Sequence, residues 1–292
     1  MVTVAPGVRV EVLDWGGTGP PLVFLSGLQD VAHGFDEFAP RFTDRFHVLA
    51  VTRRGYGASS QPAGGYDIAT RVADLRAALD RLGLARMALV GHSMAGDELT
   101  AFAAAYPERV SRLVYLDAAY DHSGLDTLLW DAAPPQPMLR ADSASPAAVQ
   151  AYLLRTYGVR IPEAQLRAIA RYGADQRLES NVTPDSIDRL MLRGCGHPRY
   201  TDVRTPALAI YAVHDSAPDL FPNWPVMDPP ARRAARRFTA TLQAWAASER
   251  ARFRRGIPGA RVLELHGANH YVFFSHEAVV TEAMRTFLGE GP

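Results

Sequence analysis

The chain has 292 residues, is 48% hydrophobic, and carries 31 basic and 31 acidic side chains for a formal charge of zero. That length buries one sizeable core, and the balanced charge argues against a general nucleic-acid or membrane-surface binder, which would carry a basic excess. A single cysteine, Cys195, excludes an intrachain disulfide, and the absence of lysine excludes Schiff-base chemistry and a P-loop lysine.

The alternating run VRVEVLDWGG, from Val8, predicts a strand almost at once, with no signal-peptide pattern before it. No apolar run approaches the roughly 20 residues of a membrane helix. A cytoplasmic protein without membrane attachment is expected. The short apolar runs at 21–27, 47–55 and 85–91 end in glycine-bearing turns and suit buried parallel strands. Between them, residues 67–83 place Val72, Leu75, Leu79 and Leu82 on one helical face before Gly83. A helix is expected after Ser93 and a strand over 112–121. This alternation predicts an α/β fold, with a mostly parallel central sheet flanked by helices.

The rhythm breaks after Tyr120. Residues 121 to about 203 hold the Pro-rich DAAPPQPM and then helical patterns without strands, at 145–158, 161–173 and 183–194. Each opens on a Pro that suits a first helical turn. A helical cap, 121–203, inserted into a core of 1–120 and 204–292 is the expected organisation. The strand pattern resumes at 205–215. An Arg-rich helix of roughly 229–255 follows, whose Arg232, Arg233, Arg236 and Arg237 read as a solvated face. A last strand with its loop (260–274) and a closing helix end the pattern.

Gly91-His92-Ser93-Met94-Ala95 lies between a predicted strand and a predicted helix. A serine at such a turn, with small neighbours on either side, is a nucleophile held up for attack, and the helix start directs positive potential at developing negative charge. With LSGLQD, TRRGYGASSQP and GANHYVFF in the same order along the chain, the sequence resembles the α/β-hydrolase fold superfamily over nearly its whole length. It departs from the commonest pattern at Ala95, where Gly is usual, and at Ser26-Gly27, where many members have His-Gly.

The resemblance implies a Ser-His-acid triad: Ser93 as nucleophile, His270 as base, and backbone N–H groups of Met94 and Leu28 as oxyanion donors. Two acids remain open. Asp215 follows the strand where most of the family carries its acid; Asp117, 24 positions after Ser93, stands where a minority does. Hydrolysis of a small, largely apolar ester or lactone through an acyl-enzyme is expected, with no cofactor or metal. C–C bond hydrolysis, cofactor-free perhydrolase or haloperoxidase chemistry and non-catalytic ligand binding share the same machinery. Ser at the elbow disfavours dehalogenases and epoxide hydrolases, which carry Asp there. His92 and His33 read as locally hydrogen-bonded, Asp97 and Glu98 as compensating the helix dipole, and Cys195 as a packed small residue. Trp130, Tyr152 and Tyr157 either line the pocket or pack the cap.

Overall fold

The computed structural model describes residues 1–124 and 137–289. Its strands are β1 (Val2–Ala5), β2 (Val8–Gly16), β3 (Pro21–Leu25), β4 (His47–Thr52), β5 (Met87–His92), β6 (Val110–Leu116), β7 (Ala170–Tyr172), β8 (Leu178–Asn181), β9 (Ala207–Val213) and β10 (Arg261–His266). Eight form one sheet in the order β1-β2-β4-β3-β5-β6-β9-β10. From β4 to β10 every pairing is parallel; β2 runs antiparallel to β4 and to β1. The sequence reading omits β1, a short strand that turns back through Gly7 at φ +72°.

The uninterrupted apolar runs follow from burial on both faces. On one face Val23, Leu25, Leu89 and Tyr115 pack with Leu75 and Leu79 of α1 (Ile68–Arg81) and with Leu99 and Phe102 of α2 (Ala95–Ala105). On the other, Leu22, Phe24, Val90 and Leu116 meet Phe35, Phe38 and Phe42.

Between β6 and β9 lie α3 (Pro146–Tyr157), α4 (Glu163–Ile169), α5 (Asp185–Arg193) and the hairpin β7–β8. Ser145 caps α3 as its sequence suggests, its hydroxyl accepting from the Ala148 N–H at 3.2 Å. The hairpin corrects the expectation of helices alone. The helical pattern stops at Ile169, because Gly173, Asp175 and Gln176 (φ +63°) build a turn in which Asp175 accepts from the Arg177 N–H. Thr183 does not cap α5; its hydroxyl donates to the Gly55 carbonyl at 2.8 Å and ties the insertion to the core.

After β9 come α6 (Pro229–Gly256), capped by Asp228, and the closing α7 (Glu277–Gly289). Arg233, Arg236 and Arg237 are exposed. Arg232 and Arg236 both lie over the Trp224 ring, which gives the crowded cations an aromatic partner. Among the described residues no helix is long and apolar enough to cross a membrane.

Candidate active site

β5 delivers the chain to Ser93, and α2 begins two residues later. Ser93 has φ +54°, a left-handed conformation that costs a non-glycine residue free energy. Neighbouring backbone bonds hold it there. The Ser93 N–H donates to the Leu116 carbonyl of β6 at 3.2 Å, and the Gly96 N–H donates to the Ser93 carbonyl at 3.0 Å. A Cβ on Gly96 would stand 1.8 Å from the Ala118 carbonyl oxygen, so glycine is required there. The half-buried Ser93 hydroxyl has no hydrogen-bond partner among the described residues.

His270 follows β10, and its ring centroid lies 4.7 Å from that of His92, the residue before Ser93. The buried His92 donates from Nε2 to the His270 carbonyl at 3.2 Å, tying that backbone to the turn at Ser93. His270 Nδ1 is 2.6 Å from Asp117 Oδ2. A carboxylate only accepts, so Nδ1 carries the proton and Nε2 keeps its lone pair. Burial opposes charge on His270, but the bond to Asp117 and the charges of Asp117 and Asp30 outweigh it and raise the pKa.

Asp117 sits just past β6 at φ +46° and is 5% exposed. Its Oδ1 accepts from the Tyr120 hydroxyl at 2.5 Å and from the Ala212 N–H at 3.0 Å. Burial would raise its pKa; the bonds from His270, Tyr120 and Ala212 bring it below the usual range instead. Asp215 is placed differently. It is exposed and faces His266 Nδ1 at 2.9 Å, and its own N–H is taken by Asp219 Oδ2. Of the two acids open in the sequence, Asp117 is the one brought to His270.

Gly27 presses the loop after β3 against the elbow: a Cβ there would be 3.1 Å from Ser93 Cβ and from His92 Nδ1. Leu28 and Met94 pack in one cluster with Tyr56, Ile187 and Met191. Neither the Leu28 nor the Met94 N–H has a hydrogen-bond partner among the described residues. Arg53 braces this loop, donating to the Ser26 carbonyl at 2.6 Å and the Gly27 carbonyl at 2.7 Å while pairing with Glu98 at 3.0 Å. Glu98 also receives Arg71 at 3.2 Å.

Glu98 and Asp97 stand in the first turn of α2, where the dipole reading puts them, and have further partners besides. Both are buried, Glu98 between two arginines and Asp97 against His122 at 3.0 Å. The sequence reading also passed over Arg53 and Tyr120. A pair of arginines directly after the apolar strand β4 is the signal that a buried brace was present. His33 is locally bonded to Asp36. Tyr152 is buried with exposed Tyr157 edge-on against it. Trp130 lies outside the described residues.

Residues 20–187, more than half the chain, match the family model described as alpha/beta hydrolase fold. A 2-(acetamidomethylene)succinate hydrolase of Mesorhizobium japonicum is 29% identical over 205 residues, 66% of this chain and 70% of that protein. A non-heme chloroperoxidase of Streptomyces lividans is 36% identical over 120 residues, 40% of this chain and less than half (44%) of that protein. Among solved structures, an E-2-(acetamidomethylene)succinate hydrolase superposes with TM-score 0.71 at 22% identity, over 99% of this chain and 98% of that one. The enol-lactonase of Burkholderia xenovorans LB400 gives 0.64 at 20% identity, over 99% of both. At these identities the structures share the fold.

Proposed function

Because the chain belongs to the alpha/beta hydrolase fold family, we propose that it is a serine hydrolase that cleaves a small ester or lactone through an acyl-enzyme. Ser93 attacks the carbonyl carbon while His270 Nε2 takes its proton. The N–H groups of Leu28 and Met94 receive the developing oxyanion, a contribution worth roughly 10²–10³ in turnover per donor. His270 then gives its proton to the leaving alcohol. Water, deprotonated by the same imidazole, releases the acid and restores Ser93. Asp117 holds the tautomer and steadies the imidazolium. The chemistry needs no cofactor. Residues 121–203 act as a cap over the core and set the substrate, which is small and largely apolar.

The observation that carries this reading is the 2.6 Å contact between His270 Nδ1 and Asp117, one residue past the strand that also anchors the Ser93 N–H. The test is labelling with a fluorophosphonate probe and peptide mapping, alongside a panel of esters and lactones. One label on Ser93, absent from Ser93→Ala, is expected together with turnover. No label, or a label on another serine, would refute it.

A further inference from the structure

Two carboxylates flank the proposed oxyanion donors without a cation of their own. Asp30 is 6% exposed. Its Oδ2 stands 3.2 Å from the point where Gly27 would carry a Cβ, and Ser93 Cβ stands 3.1 Å from the same point. The groups that touch Asp30 are Gln165 Nε2 at 2.5 Å, the Tyr271 hydroxyl at 3.2 Å and His92 Nδ1 at 3.5 Å. The amide and the phenol donate to the carboxylate without bringing a cation, and His92, whose Nε2 proton goes to the His270 carbonyl, offers Asp30 no N–H in the neutral form that burial favours. Asp188, half-buried on the inward flank of α5, accepts from Gln29 Nε2 at 2.6 Å and the Tyr56 hydroxyl at 2.9 Å. Gln29 adjoins Leu28.

Arg53, which lies over the Tyr56 ring, is consumed by Glu98 and two loop carbonyls. On the insertion, Arg155, Arg160 and Arg167 pair with Asp142, Glu37 and Glu163, and Arg140, Arg171, Arg189 and Arg193 are exposed.

We propose that this site selects its acyl group by charge, admitting neutral and cationic chains and rejecting those that bear a carboxylate. The proposal rests on the ester-hydrolysis reading and adds the substrate's charge class to it. An anionic chain would give up hydration and meet like charge from Asp30, Asp188 and Asp117 in a partly desolvated setting, with Arg53 already held by Glu98. Repulsion built against the wrong ligand is a common route to specificity.

The test uses three p-nitrophenyl esters of one chain length: the hexanoate, the monoester of adipic acid, and the ω-trimethylammonio analogue. The expected kcat/KM of the adipate is about tenfold or more below that of the hexanoate, while the cationic ester matches or exceeds it. Asp188→Asn removes one charge; its carbonyl oxygen can still accept from Gln29 Nε2, while its NH₂ meets the Tyr56 hydroxyl as a donor. In that variant the adipate-to-hexanoate ratio rises about threefold, and about 0.5 M salt narrows the gap in the unaltered protein. The ratio cancels any general loss of activity. Equal or faster cleavage of the adipate, or a ratio unmoved by Asp188→Asn, overturns the proposal. If none of the esters is cleaved, the hydrolysis reading fails instead. Calorimetric binding of methyl hexanoate and monomethyl adipate to Ser93→Ala then decides the charge question: tighter neutral binding supports it, and equal or tighter anion binding overturns it.

Discussion

Asp117→Asn is the change whose consequence is most fully determined by the geometry. Asp117 Oδ1 accepts two hydrogen bonds, from the Tyr120 hydroxyl and the Ala212 N–H. An asparagine keeps both only by leaving its carbonyl oxygen in that place. Its NH₂ then points at His270 Nδ1, where Oδ2 stood at 2.6 Å. An amide nitrogen donates, so Nδ1 must become the acceptor and the ring proton moves to Nε2. In the proposed mechanism, Nε2 can then no longer take the Ser93 proton. A base held in the wrong tautomer costs about 10⁴ in turnover, equivalent to about 5.5 kcal/mol of transition-state stabilisation. Asp215→Asn is the internal control: its carboxylate is exposed and pairs with His266, so kcat/KM is expected to change less than about twofold. Steady-state hydrolysis of a p-nitrophenyl ester, with fluorophosphonate labelling rates on the same preparations, measures both. Retention of activity within tenfold in Asp117→Asn, or a larger loss in Asp215→Asn, would refute the assignment.

Glu98→Gln removes the shared partner of two buried guanidinium groups, Arg53 and Arg71, and is expected to cost about 3–5 kcal/mol of stability in urea unfolding; a loss under about 1 kcal/mol would leave Glu98 a dipole role alone. The acid limb of kcat/KM reports loss of neutral His270 as pH falls. Because its pKa is raised, the limb lies above the ordinary histidine value of about 6.5, and a midpoint at or below that value counts against the Asp117 contact. Burial and the nearby Asp97 charge push the Cys195 thiol up to about 12 despite the opposing Arg71, so the native protein should resist a disulfide reagent at pH 8 and react only when unfolded.

The proposed nucleophile and base are legible in the sequence because such roles depend on local turns. Gly91 to Gly96 must satisfy steric demands that small residues advertise, and the strands read clearly because burial on both faces leaves unbroken apolar runs. The acid was open because two strands, β6 and β9, are each followed within two residues by an aspartate. What separates them is tertiary. The chain after β9 turns outward as Asp219 captures the Asp215 N–H, whereas Asp117 is enclosed by Tyr120, itself stacked on Trp245 of α6. Tyr120 and Asp219 lie within four residues of these aspartates, but Tyr120 is held by Trp245, more than a hundred residues along the chain, and a local reading misses that. The buried Arg53–Glu98–Arg71 group was hidden likewise, since charges in a helix's first turn look the same whether solvent or a distant arginine meets them. The β7–β8 hairpin escaped because a helical period running through Ile169 masks the turn residues behind it.

Arg53 hangs the loop after β3 from the helix that starts at the elbow, by way of Glu98. One buried pair thus joins the Ser93 turn to the loop after β3. Under the proposed function, exchanging residues of the insertion would alter which molecules gain entry while that brace stays in place.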